Sequence, residues 1–291
     1  MFAPFTEILV PLDGSPAAEL ALGPAHELAR RTGVPLLLLS RVFPDDAGVR
    51  MGYLAGVADR LGPDVDVEFR VVDRESIPDA ILDGMGPDTL VCMSSHGRGG
   101  LVRGVMGSVT EALLRIIDRP TLVVGPHAGE PAASFDGRVV ACVDGSAASE
   151  RAIEPARRWA AALDLPLWLV QVADIVRPAE DVVDGDVVES GHLASLGRRI
   201  DGVRAWDLLH DKSPARALAD LATSEADPVA LLVMATHSRT GWDRLHLGSV
   251  TTATVHTARV PVLVVPAGGH ADAAEIGRTA TGVAGAASQR P

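Results

Sequence analysis

Aromatic residues are almost missing from this chain: they make up 3% of its 291 residues, while hydrophobic residues make up 47%. An interior so poor in rings has to be filled with Val, Leu, Ile and Ala. These are the residues of buried parallel strands and their covering helices, which predicts an α/β class. Cysteine is nearly as scarce. Cys92 and Cys142 both sit inside apolar runs, and they read as small buried hydrophobes rather than as a disulfide or redox pair. Positive charge is also short, with a formal net charge of −12 and a pI near 5.1. Extended contact with nucleic acid or an anionic membrane needs a basic footprint, so neither is expected as a partner, although a local basic loop can still hold a small anion. No apolar run approaches the roughly 18 residues that a membrane-spanning helix needs. The opening MFAPFTEILVPLD carries no positive n-region, and Asp13 cuts its apolar stretch short, unlike a signal peptide. A soluble cytoplasmic protein is the expectation.

Catalytic signatures are equally sparse. Neither Asp-Gly-Ser stretch nor Ser-His-Gly fits the glycine-x-serine-x-glycine elbow of hydrolases. No Walker lysine motif is present either.

What the chain does have is a repeat of itself. ILVPLDGSPAAELAL, from Ile8, is matched by VVACVDGSAASERAI, from Val139. Further on, TLVCMSSHGRGGLVRGVMGSVTEALLRIIDRPTLVV is matched by ALLVMATHSRTGWDRLHLGSVTTATVHTARVPVLVV. The second copy carries about ten more residues between these two blocks. Two domains of one architecture follow, over 1–127 and 137–266, with a Pro-, Ala- and Gly-rich linker at 128–136. The stretch 267–291 has almost no large apolar residues and reads as a disordered tail.

Within each copy, short Val/Leu-rich runs alternate with longer amphipathic stretches, the pattern of βαβ units feeding a parallel sheet. Strands are expected at 8–12, 35–42, 65–72, 89–94 and 121–125, and again at 138–143, 166–172, 203–209, 229–235 and 260–265. The expected architecture is two tandem doubly wound, Rossmann-like domains, each with a five-stranded parallel sheet and right-handed crossovers. After the first strand, Ser15 is placed to cap a helix that Pro16 begins.

Ligands of open parallel sheets bind beyond the carboxyl ends of the strands, where the winding reverses. Asp13, Val42 and the loop SSHGRGGLVRGVMGSV all lie at that edge in the first copy. Within the loop, Gly97 and Gly107 are separated by nine residues, and Gly107-Ser108 opens a helix. Exposed N–H groups and a partial positive charge at such a helix start can seat a phosphate. On its own the loop also reads as a Gly-rich connection with Ser108 as an N-cap.

These motifs resemble the universal stress protein family in its tandem form, over essentially the whole of 7–266. The ATP-binding subgroup of that family carries a glycine, two residues, a second glycine, nine residues, then Gly-Ser or Gly-Thr. Here the second glycine is Gly97 and the final pair is Gly107-Ser108, but the first position is Ser94. The second copy departs twice, with Ala235 and Ser238 ahead of Gly248-Ser249. A serine in place of glycine is tolerable at an ordinary φ and obstructive at a positive one.

The resemblance implies that Asp13 and Asp144 contact the adenosine part of a nucleotide; as bare sequence, each equally stabilises its own turn with Gly14-Ser15 or Gly145-Ser146. Val42 and Val172 are matched to the apolar position beside the adenine. Loop positions Ser94, His96, Gly97, Arg98, Gly100, Gly107, Ser108 and Val109 complete the first candidate site. Ala235, His237, Ser238, Arg239, Gly248, Ser249 and Val250 complete the second. His96 and His237 lack a second ligand at metal spacing and read as loop hydrogen-bonders. Arg98, Arg103, Arg239 and Arg244 read either as phosphate ligands or as solvated charges. Magnesium accompanying ATP would need only phosphates and water.

The functional expectation is a stress-response module regulated by ATP or another adenine nucleotide, with slow ATP hydrolysis or autophosphorylation as a family-level implication. An interaction module that binds no nucleotide stands as the alternative, and an ATP-cleaving or adenylate-forming enzyme as a third reading. By the same resemblance, TLVV and PVLVV help to pair the domains within the chain, leaving another surface for a homodimer.

Overall fold

The computed structural model describes residues 3–42, 46–97, 106–128, 134–173, 190–236 and 248–266. In the first half, strands β1 (Glu7–Pro11), β2 (Leu36–Arg41), β3 (Val67–Val72), β4 (Thr89–Ser94) and β5 (Thr121–Val124) alternate with helices. These are α1 (Pro16–Glu19), α2 (Leu22–Thr32), α3 (Ala47–Leu61), α4 (Ile77–Gly84) and α5 (Ser108–Ile116). The second half repeats the order with β6 (Arg138–Val143), α6 (Ala147–Glu150), α7 (Ile153–Leu163), β7 (Leu167–Ala173) and α8, described over 190–199. It continues through β8 (Val203–His210), α9 (Pro214–Leu221), β9 (Val229–Ala235), α10 (Ser249–Thr257) and β10 (Val262–Val265). The last strand begins two residues later than its apolar run, after Pro261, which has no N–H to give to a ladder.

Serine starts four of the helices. Ser15, Ser76, Ser146 and Ser213 each accept a hydrogen bond from the N–H three residues on, satisfying a donor that the first turn leaves open.

The strands form one ten-stranded sheet in the order β3-β2-β1-β4-β5-β10-β9-β6-β7-β8. Each half is a parallel five-stranded unit, and winding reverses between β1 and β4 and between β6 and β9. The two units meet in an antiparallel pair, β5 with β10, with Leu122 opposite Leu263. Alternate strand residues feed two cores, one on each face, because successive side chains point to opposite sides. Ile8, Val10, Leu36 and Leu38 join α2 and α3, while Leu9, Leu37 and Leu39 join α4 and α5. The first core is continuous across the halves: Phe5 packs on Trp159 of α7 with ring centroids 5.4 Å apart. Cys92 and Cys142 are free thiols in these cores. Burial pushes both well above the ordinary thiol range, Cys142 to about 12, so each is a neutral packing group.

The described end of the linker is more than a spacer. Phe135 is buried at 1% exposure, and Arg31 of α2 holds the backbone around it. Arg31 donates to the carbonyls of Phe135 (3.1 Å) and Ser134 and pairs with Asp136 at 2.6 Å. A single Phe in a polar stretch carries no periodicity, so sequence patterning does not reveal its docking. Replacing Arg31 with Met is expected to lower stability by about 1 kcal/mol in urea titrations. Arg31 also holds the Asp136 carboxyl below its ordinary value. A carboxyl held low contributes its stability above that value and loses it as pH falls below it. The wild type should therefore lose more stability than the variant on acidification below about pH 4.

Candidate functional site

At the carboxyl ends of β1, β2 and β4 the first half opens into a cleft of about 500 Å³, lined by Leu12, Asp13, Leu39, Arg41, Arg50, Val72, Ile81 and Met93 together with the loop residues Ser94, His96 and Gly97. The start of α5, from Gly107 to Thr110, closes one side. Most of the wall is apolar; the polar groups come from the strand ends, from Arg50 of α3 and from the start of α5.

Asp13 follows β1 in a turn that Gly14 makes with a φ of 84°. Its Oδ1 accepts from the Ser15 N–H at 2.8 Å, and its carbonyl accepts from Arg50 at 2.8 Å. The turn-stabilising role is therefore real, and it takes one carboxylate oxygen. The other oxygen lies against Gly97, where a Cβ would come within 2.7 Å of Oδ2. Gly97 is thus the residue that lets the carboxylate stand at the cleft edge. Ser94 ends β4, with its carbonyl held by Thr110 Oγ1 at 2.9 Å. Among the described residues the positive φ values outside glycine belong to Phe135 and Asp164, so Ser94 replaces a glycine without backbone strain.

Gly107, not Ser108, is the N-cap of α5, and no side chain caps it. Its N–H donates to the Ser95 carbonyl at 2.8 Å, and a Cβ on it would come within 3.0 Å of that same oxygen. Ser108 is exposed and Val109 half-buried at the first helical positions. Their N–H groups point outward from a helix start, the arrangement that favours an anion. His96 is buried with its Nδ1 hydrogen-bonded to Ser95 Oγ at 2.9 Å, and its ring meets that of His256 on α10. The reading of His96 as a loop hydrogen-bonder accounts for Nδ1 but not for this contact with the other half. Arg98, Gly100 and Arg103 lie outside the described residues.

Val42 is buried, and its N–H donates to the Val72 carbonyl at 3.0 Å. The residue that reaches the cleft from the end of β2 is its neighbour Arg41. Sheet register also corrects the match between copies. Leu36 pairs with Ile8 and Leu167 with Val139, positions equally far ahead of Asp13 and Asp144, so Val172 is the counterpart of Arg41 and Ala173 that of Val42. The sequence comparison is one residue out there because Val172 and Ala173 are both small and apolar.

In the second half Asp144 is exposed and accepts from the Ser146 N–H (3.0 Å) and Oγ (2.6 Å) beside Gly145, whose φ is 80°. Ala235 is buried at the end of β9, Gly248 caps α10 without side-chain help, and Ser249 and Val250 are exposed. His237, Ser238, Arg239 and Arg244 lie outside the described residues. Sequence reasoning missed Arg41, Arg50, Thr110 and His256. An arginine closing an otherwise apolar strand was the signal for Arg41; Arg50 and His256 lie on helices remote in sequence from the first motif, and Thr110, two residues after Ser108, takes its role only from the fold, by donating to the Ser94 carbonyl. Among the described residues no group of three or more His, Cys, Asp or Glu side chains could hold a metal ion, and no helix is long and apolar enough to cross a membrane.

Residues 55–125 and 137–266 match the Universal stress protein family. A universal stress protein of Mycolicibacterium smegmatis is 31% identical over 224 residues, 72% of each chain. A universal stress protein of Mycobacterium tuberculosis is 27% identical over 287 residues, 88% of this chain and 95% of that one. Among solved structures, a protein described as functionally unknown from Pseudomonas aeruginosa superposes with a TM-score of 0.63 at 18% identity, covering 90% and 92% of the two chains. A universal stress protein of Archaeoglobus fulgidus does so at 0.61 and 18%, covering 91% and 98%. The structural likenesses concern the fold. With its duplicated sheet unit, its strand-end aspartates and these matches across both halves, the chain belongs to the universal stress protein family.

Proposed function

We propose that the first half binds ATP or a related adenine nucleotide, and that binding regulates the arrangement of the two halves. The observation that carries this reading is the pair of glycines in the motif: a side chain at Gly97 would displace the Asp13 carboxylate, and one at Gly107 would press on the Ser95 carbonyl. Both glycines stand where the cleft needs close backbone approach. The apolar wall formed by Leu39, Val72, Ile81 and Met93 suits an adenine ring, and Asp13 suits a ribose hydroxyl or the adenine amine. The first turn of α5 suits phosphate, with Arg41 and Arg50 adding positive charge to the same cleft. Magnesium carried in with ATP would be held by phosphate oxygens and water. A ligand that binds one arrangement of the loops better than another stabilises that arrangement, which is how such a module reports the nucleotide.

Calorimetric titration of the purified chain with ATP and magnesium tests this reading, together with assay of the supernatant after denaturation for co-purified nucleotide. Heat of binding with a stoichiometry of one or two sites per chain is expected. Replacing Asp13 with Ala should weaken binding about tenfold, the worth of a hydrogen bond to a charged group. No co-purified nucleotide and no heat at millimolar ATP would favour an interaction module instead.

A further inference from the structure

Behind the cleft, the connection after β4 meets the other half of the molecule. His96, part of the cleft wall, sets its ring edge-to-face against His256 of α10, with centroids 4.9 Å apart and planes inclined by 61°. Both Nε2 atoms are buried, and neither has a hydrogen-bond partner among the described residues. Packing alone does not call for this, because a phenylalanine fills such a space without stranding a polar atom. The two halves are also pressed together here: a Cβ on Gly125, just after β5, would lie 1.9 Å from the Val255 carbonyl oxygen.

The charge environment is one-sided. Among the described residues, the groups acting on His256 are His96 and His127, both imidazoles. Helix α9, which packs on α10, carries Arg216 and Asp220; Arg216 is paired with Asp211, and neither acts on His256. Burial first, and then the two imidazoles, hold the His256 pKa below its ordinary 6.5. His96 faces Ser95 and His256, and shares its cleft with Asp13, Arg41 and Arg50.

We propose that the His96–His256 contact is a proton-controlled latch between the first cleft and the joint of the two halves. Neutral rings keep the joint shut and the cleft wall in place. In mild acid a charged His256 meets no carboxylate among the described residues that act on it and is repelled by its neighbours, so water must reach it. Separating α10 from His96 lets water in. The open arrangement then binds more protons than the closed one, so the closed one loses ground as pH falls below about 6.5. A nucleotide that favours the closed joint is bound more weakly in acid, by the reciprocity of linked equilibria. The ligand arm of this proposal rests on the nucleotide reading above, whereas the response of the joint to acid does not.

The test compares the full chain with a His256→Phe variant at about pH 8 and about pH 5.5, by thermal melting without nucleotide and by calorimetric titration with ATP. Phenylalanine keeps the aromatic edge but cannot be charged, and the titration of ATP's own phosphates is common to both proteins. Between the two pH values the wild type should lose about fivefold more affinity than the variant, the lower end of ordinary coupling between sites, and its melting temperature should drop further. Parallel pH profiles for the two proteins would overturn the latch. If the phenylalanine variant fails to melt cooperatively at the higher pH, His256→Gln replaces it, being neutral at both. Should ATP not bind the wild type at the higher pH, the nucleotide reading fails while the melting comparison still decides the latch.

Discussion

Valine in place of Gly97 is expected to abolish nucleotide binding to the first half and leave the fold standing. The Cβ would arrive 2.7 Å from Asp13 Oδ2, the far end of a side chain that can swing away. That swing spares the fold, but it takes the carboxylate from the cleft edge and puts two methyl groups in its place. A charge-assisted hydrogen bond contributes about 1.5–3 kcal/mol. Together with the lost space, a fall in affinity of at least about a hundredfold is expected. Calorimetry reads it, and a melting temperature near that of the wild type confirms that only the cleft was changed. Undiminished affinity would show that the nucleotide does not lie against Asp13.

Valine in place of Gly125 should have the opposite profile. The atom in the way is the Val255 carbonyl oxygen, 1.9 Å from the new Cβ, with the Val255 carbonyl carbon at 3.1 Å. Backbone near the end of a helix cannot rotate aside as a carboxylate can, so α10 has to move away from β5 or the two halves have to part. Overpacking of this kind costs about 3 kcal/mol, and for a chain of this size the melting temperature should fall by about 5–10 °C. Because α10 also carries His256, the variant should show the weakened acid response expected of an opened latch. A melting temperature unchanged by the substitution would mean that the joint is looser than the close approach at Gly125 implies.

Much of the fold was legible before any coordinates. Runs such as ILVP and LVCM are too apolar to face water, and their spacing by amphipathic stretches left a doubly wound parallel sheet as the simple solution. Ser15 was readable as a helix start, and Ser76, Ser146 and Ser213 prove to use the same chemistry. The candidate cleft was legible in part. Asp13, Gly97 and Gly107 stand out because a turn, a close approach and a helix start each require a particular residue type. The match of Val42 to Val172 failed because apolar strand residues are interchangeable in sequence, and only the ladder shows which residues face each other.

Local chemistry along the chain therefore settled the duplicated α/β unit and its alternation of strands and helices within each half, and it pointed to the edge proposed for a ligand. Composition and period act over a few residues and need no partner. The pairing of TLVV with PVLVV, implied by the family resemblance, is the antiparallel seam of β5 and β10. Three features were settled only when distant segments met: the docking of Phe135 under Arg31, the entry of Arg41 and Arg50 into the cleft, and the contact of His96 with His256. Each joins residues far apart in sequence whose side chains acquire a role only through burial against one another, and no local pattern encodes that meeting.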